Sequence, residues 1–263
     1  MKFHRIWALF LRHMYLYPRS FSRMMELFYW PFMDLVVWGF ISLYLARYGK
    51  ELPNFVAFLL GALILWDILF RSQQGISVSF LEDIWARNLL NLFVSPLGPG
   101  EYIFSLMLFS CVKVIMAGTI MAFLAWALYS FNFFVLGLSL VGFILGLVAM
   151  GWVVGLFTLS LILRFGQQAE ILAWGVAFLF QPVSAVFYPV SVLPPWLQKI
   201  AHFVPASYVF EGMRSVITSG RVPVQNLGFC FLLDGVYFLL ALLFFRRVFR
   251  AVREKGLLAK IGE

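Results

Sequence analysis

The sequence predicts an all-α integral membrane protein. It has six transmembrane helices, an N-terminal interfacial helix, a polar cytoplasmic helix between the second and third spans, and a broken segment at the outer surface after the fifth. Three observations carry this. Of the 263 residues, 63% are hydrophobic and 12% charged, against about 45–50% apolar and about 25% charged in soluble domains. The apolar residues fall in blocks of about 20, the length that crosses a hydrocarbon core of roughly 30 Å. The net charge of +8 gathers at the two ends of the chain, where lipid headgroups lie, which favours membrane topology over nucleic acid as its explanation.

Residues 2–19 read as an amphipathic helix in the headgroup plane. Arg5, Arg12 and Arg19 form one stripe, and Phe3, Trp7, Phe10, Leu11 and Met14 lie opposite. Leu16 falls near the basic stripe, and Pro18 ends the helix. These residues contain no uninterrupted apolar core followed by a small-residue cleavage site, so no cleavable signal is expected. The first span covers 26–46 around Pro31, and a polar turn runs from Arg47 to Pro53. The second covers 54–79. The third, 102–129, follows a break at Pro96, Gly98, Pro99 and Gly100. A turn at 130–132 leads to the fourth, 133–162, whose Gly142/Gly146 and Gly151/Gly155 pairs permit close helix packing. The fifth covers 171–188, the sixth 227–245, and a basic tail occupies 246–263. All of this is one transmembrane domain over 1–263.

Lys and Arg set the orientation. With the N-terminus inside, the inner side holds Lys2, Arg5, Arg12, Arg19, Arg23, Arg71, Arg87, Arg164, Arg246, Arg247, Arg250, Arg253, Lys255 and Lys260. The outer side holds only Arg47, Lys50, Lys199, Arg214 and Arg221, and Lys113 lies within the membrane. Both termini are therefore expected in the cytoplasm. Cys111 and Cys230 sit in apolar segments and read as small buried residues, with no disulfide framework or metal site. His4, His13 and His202 are scattered without ligand spacing.

Two segments are neither spans nor simple loops. Residues 80–102, FLEDIWARNLLNLFVSPLGPGEY, open with charges and become an amphipathic helix at 82–94. That helix either presents Trp85, Leu89, Leu92 and Phe93 to a partner's groove or lies on lipid. Residues 187–214, FYPVSVLPPWLQKIAHFVPASYVFEGMR, are dense in proline and aromatics. They form either a re-entrant pair of short helices, which needs protein or water to cover its backbone, or a folded outer loop.

Together these segments resemble the permease subunits of the ABC-2-type exporter family, over nearly the whole chain. The LEDIWARNLLNLFVSPL stretch at 81–97 is similar to the family's coupling region, and FYPVSVLPPWLQ with VPASYVFEGMR to its signature after the fifth span. Val204 stands where many members carry Asn. The resemblance implies two permease copies, a homodimer, each bound to a cytoplasmic ABC ATPase subunit. The coupling helix, with Glu82, Asp83, Trp85, Arg87, Asn88, Leu89, Leu92 and Phe93, would dock into that ATPase. The outer segment, with Pro194, Pro195, Trp196, Pro205, Glu211 and Arg214, would be re-entrant. The path would run between the permeases, along the first, second and fifth helices, in a bacterial or archaeal plasma membrane. No catalytic residue, cofactor or metal is expected in this chain. ATP and Mg would sit in the partner, since no G-x-x-x-x-G-K-[ST] occurs here.

Ionisable groups inside spans cost about 2.5–3.5 kcal/mol on insertion scales, so each needs a reason. Asp34 lies roughly 12 Å into the first helix and Lys113 roughly 16 Å into the third, near the midplane. Asp67 and Arg71 form an i,i+4 pair. Either these four neutralise one another and hold the bundle together, or some face the path. Gln181 and Tyr188 are further path candidates, and Glu211 and Arg214, three apart, share a helix face near the outer surface. The competing functions are a proton-coupled secondary transporter, against which no inverted repeat is evident, and a membrane-embedded lipid-modifying enzyme, for which no acid, base and nucleophile cluster is visible. An amphipathic, lipid-linked or drug-like cargo is expected of the exporter.

Overall fold

A computed structural model describes residues 2–48, 55–220 and 222–256. Residues 49–53 of the expected turn, with Lys50, lie outside the described residues, as do Arg221 and residues 257–263 of the tail, with Lys260. Among the described residues every regular element is helical. The α-helices are α1 (Phe3–Leu16), α2 (Phe21–Tyr48), α3 (Phe55–Trp85), α4 (Leu89–Val94), α5 (Pro99–Tyr129), α6 (Ser139–Phe165), α7 (Leu172–Val183), α8 (Pro195–Ala201), α9 (Pro205–Ser219) and α10 (Val224–Glu254). Short 3-10 turns occupy Phe133–Leu136, Gly166–Ala169 and Val190–Val192.

Among the described residues five helices are long and apolar enough to cross a membrane: α2, α3, α5, α6 and α10. The expected fifth span at 171–188 is helical only over Leu172–Val183. Its helix, α7, has 12 residues, about 18 Å of rise, and the chain leaves it through Ala185 in the left-handed region (φ 53°). Other boundaries shift for local reasons. The second span does not stop at 79 but runs to Trp85, because Glu82 and Asp83 in its last turns meet Arg23 and Arg12. The fourth span starts at Ser139, residues 133–136 forming a 3-10 turn. The sixth continues past 245 to Glu254, with Val248 and Val252 of the expected tail still buried.

The centre of the bundle is α6, which packs chiefly on α3 and α10. Its glycines explain the close approach. A Cβ on Gly151 would lie 2.6 Å from the Ser72 Cβ and 2.7 Å from the Leu69 carbonyl of α3, and one on Gly146 would lie 2.7 Å from the Cys230 Sγ of α10. With backbones this near, small polar side chains reach across. The Ser72 hydroxyl donates to the Val148 carbonyl (2.9 Å), the Gln73 amide to the Ala173 carbonyl of α7 (3.0 Å), and the Trp152 indole to the Ser110 hydroxyl of α5 (2.7 Å). Such interhelical bonds in a membrane are worth on average about 0.6 kcal/mol each, so they fix register more than they supply stability.

Phe93 of α4 lies against Phe249 of α10, and Arg5 of α1 against Glu101 of α5. One end of the bundle, hereafter the near end, therefore gathers α1, α4, the start of α5 and the end of α10. The far end carries α8, α9, the start of α10 and the 3-10 turn at Phe133–Leu136. α2 is the least enclosed of the first spans, with Trp30, Phe40 and Tyr44 about 60% exposed.

Candidate functional site: the near-end bracket and the intramembrane charges

At the near end two acids fasten α1 to the bundle. Asp83, in the last turn of α3 and 2% exposed, accepts the Tyr102 hydroxyl of α5 at 2.8 Å and pairs with Arg12 at 2.7 Å, with His13 Nε2 at 3.7 Å. Glu101, in the first turn of α5, accepts the Gly98 N–H (2.9 Å) and the Lys2 N–H (2.7 Å), and Arg5 lies 3.7 Å away. An acid there also favours the helix start. Arg5 reaches on to the Pro96 carbonyl. Arg23 at the start of α2 bridges Glu82 (3.0 Å) and the Leu16 carbonyl (3.1 Å). α1 is thus bolted to the α3–α5 elbow by side chains that are remote in sequence.

The expected single helix at 82–94 is corrected to a broken elbow. α3 ends at Trp85, Arg87 takes a left-handed conformation (φ 51°), and the short α4 follows. The break turns the apolar side of α4 inward. Leu89 is buried, Leu92 and Phe93 pack into the core, and the Phe93 ring meets those of Tyr102 (5.6 Å) and Phe249 (5.1 Å). Trp85 donates to Glu170 (3.2 Å) and stacks on Trp174. Leu89, Leu92 and Phe93, expected to face a partner groove, are therefore occupied within the chain. The outward residues are Arg87, Leu90, Asn91 and Val94, with Leu90 48% and Val94 79% exposed, and Asn88 half-buried. Leu90 and Val94 stand four apart, a spacing that was visible in the sequence but outweighed by the larger side chains beside them.

Within the membrane, the expected four-charge neutralisation is only half realised. Asp67 and Arg71 pair at 3.2 Å, and Arg71 also reaches Gln74 at 3.4 Å. Lys113 is buried but meets rings rather than acids: its ammonium lies 4.8 Å from the Tyr17 ring centre and 5.1 Å from that of Phe109. Burial, then the charge of Glu82, pushes the Tyr17 hydroxyl far above its usual range, so the ring stays a neutral wall for the cation. Asp34 lies exposed on α2 with no ion-pair or hydrogen-bond partner among the described residues. Gln181 is half-buried near the end of α7, and the Tyr188 hydroxyl donates to the Pro182 carbonyl (2.8 Å). A carboxylate the sequence reading passed over, Asp234 on α10, is 3% exposed. It accepts only the Cys230 thiol at 3.5 Å, and its Oδ1 has no partner. A cavity of about 580 Å³ is lined by Val114, Phe123, Trp126, Phe131 and Phe133 among others, and none of these charged residues borders it.

At the far end Arg214 holds the chain that leaves α7. Its guanidinium donates to the carbonyls of Ala185, Val186 (3.2 Å) and Tyr188 (2.5 Å) and to Glu211 (3.0 Å), and Glu211 accepts the Val190 N–H (2.7 Å). Pro194 and Pro195 start α8, the exposed Trp196 follows, and the buried Pro205 starts α9. Among the described residues no group of three or more His, Cys, Asp or Glu is placed to hold a metal ion.

The model of the ABC-2 type transporter family matches residues 4–218, from the first turn of α1 to the last turn of α9. The chain belongs to the ABC-2 type transporter family. No curated protein sequence matches it significantly. As an ABC-2 permease it is a multi-pass membrane component of a transport system rather than a catalytic subunit, and the α3–α5 elbow and the Arg214-braced segment both lie inside the matched region.

Proposed function

We propose that this ABC-2 permease is one half of a homodimeric, ATP-driven exporter whose energy comes from a separate cytoplasmic ABC ATPase subunit, one per permease. The observation that carries the reading is the elbow: Arg87 projects from its break and Leu90, Asn91 and Val94 from the short helix that follows, whose inner face is locked to α5 and α10, while Asp83 and Glu101 beside it hold α1. A force applied at that tip reaches several spans without bending the helix. In this reading the near end is cytoplasmic, in agreement with the Lys and Arg distribution. α7 with the chain to Tyr188 completes a sixth crossing, and α8 and α9 are the re-entrant pair at the outer surface. The path lies between the two copies, bordered by α2 and α7, which suits an amphipathic, lipid-linked or drug-like cargo. ATP and Mg are held by the ATPase. The membrane is the plasma membrane of a bacterium or archaeon.

The test is reconstitution of the permease with the P-loop ATPase that co-purifies with it. Leu90→Asp combined with Val94→Asp should abolish ATP-dependent transport and ATPase binding while leaving the permease folded and dimeric. Transport driven by a proton gradient with no ATPase present would replace this reading with the secondary-transporter one.

A further inference from the structure

Where the near ends of α6 and α10 meet, a cavity of about 340 Å³ is lined by Arg164, Phe165, Phe244, Arg247, Val248, Ala251, Val252 and Lys255. Three cations share this lining with no acid, and Glu254, next along α10, is not part of it. Arg164 touches only the ring of Phe165 (5.4 Å), and neither Arg247 nor Lys255 has an ion-pair or hydrogen-bond partner among the described residues. All three cationic residues are exposed, so water solvates them in part, and their like charge along one cleft makes it attractive to an anion.

Depth identifies the anion's source. From Val224, the twenty residues to Phe244 rise about 30 Å, the thickness of a hydrocarbon core. Phe244 thus stands at the edge of the acyl region, Arg247 and Val248 stand at headgroup level, and Lys255, about 16 Å past the acyl edge, stands on the aqueous side with its side chain able to reach back. Apolar wall toward the membrane and cations toward water is the arrangement of a lipid-headgroup pocket. We propose that this cleft binds the phosphate of an anionic phospholipid from the near-end leaflet, with Arg164, Arg247 and Lys255 on the headgroup and Phe165, Phe244 and Val248 along the upper acyl chain. Most of the site, six of its eight lining residues, lies on α10 and its C-cap, beyond the residues the family model matches. It requires only the membrane and two helix ends, so it stands whether or not the chain exports anything.

Native mass spectrometry of the detergent-purified chain, equilibrated with phosphatidylglycerol or phosphatidylcholine, tests it. The protein should retain phosphatidylglycerol preferentially. Arg164→Gln/Arg247→Gln/Lys255→Gln should weaken that retention about a hundredfold, and Arg247→Gln alone about fivefold. Arg246→Gln/Arg250→Gln/Arg253→Gln, which removes equal charge from the same tail outside the cleft, should change it less than about threefold. Equal losses in the two triple variants, equal retention of the two lipids, or displacement of the lipid by inorganic phosphate would each overturn the proposal. So would a cleft variant that keeps its lipid but loses the ATPase subunit, since the cleft would then bind an acidic protein surface.

Discussion

Asp83 shows what a single position hides. In the sequence it belongs to a run of polar residues on the cytoplasmic side and reads as part of a docking surface. In the fold it is buried under Arg12 and the Tyr102 hydroxyl. Its charge was legible, but its partner, some seventy positions earlier on an amphipathic helix, was not, because periodicity reports faces and not pairings. Replacing Asp83 with Ala leaves a buried hydroxyl and a partly exposed guanidinium without a counterpart. We expect a loss of about 2–3 kcal/mol, at or below the usual cost of breaking a buried pair because Arg12 keeps some water. Tyr102→Phe, which removes one hydrogen bond and no charge, should cost about 1 kcal/mol. Thermal unfolding in detergent separates the two. A D83A protein as stable as wild type would mean that the bracket is not a structural bolt. At the far end Arg214 holds three carbonyls and the left-handed Ala185 in place. Arg214→Lys keeps the charge but loses the fork. It should cost about 2 kcal/mol and increase proteolysis between residues 184 and 194, and unchanged cleavage there would remove the bracing role.

At the scale of elements, the long spans were readable because each is a continuous apolar block, and the small-residue pairs of α6 announced close packing before any partner was known. The sequence could not say which neighbour each pair meets. Gly151 and Gly155 meet α3, whereas Gly142 and Gly146 meet α10. The buried ladder of Ser72, Gln73, Gln74 and Ser77 on α3 was overlooked because uncharged polar residues barely dent the hydropathy of a 31-residue helix. The short α7 was not legible because the apolar run continues past its end into a turn fixed by long-range contacts of Arg214 and Glu211 and by the Tyr188 hydroxyl. The glycine contacts give a sharp expectation. Gly151→Leu pushes a side chain against the Leu69 carbonyl, which belongs to rigid backbone, and should separate α3 from α6 at a cost of about 2–3 kcal/mol. Gly235→Ala on α10, where a Cβ meets nothing within 4 Å, should be neutral or stabilising by up to about 1 kcal/mol. If both variants melt alike, α6 is not packed as described.

For the whole molecule the decisive feature is Asp34. A carboxylate at that depth facing hydrocarbon would be costly, and within one chain it has no contact ion pair or hydrogen bond among the described residues, only the more distant charge of Arg71, which is itself paired with Asp67. Yet the same face of α2 carries exposed Trp30, Val37 and Ile41, so the surface is neither ordinary lipid contact nor ordinary core. It is the surface to be expected of a helix that borders both a second copy and a water-filled route between copies, where the carboxylate stays hydrated. α10 differs: its exposed residues Leu232, Val236, Leu239 and Leu243 are uniformly apolar, as suits lipid. The two helices should therefore respond differently to a water-soluble thiol reagent. In a background with Cys111 and Cys230 replaced, a cysteine at position 34 or 37 should react readily in membranes, and more slowly when cargo is bound. A cysteine at position 239 should stay unreactive, because thiolate does not form in hydrocarbon. Equal protection of all three positions would place α2 in lipid and remove the path from between the subunits. Reaction at 34 that cargo leaves unchanged would keep the water but assign it to a vestibule outside the route.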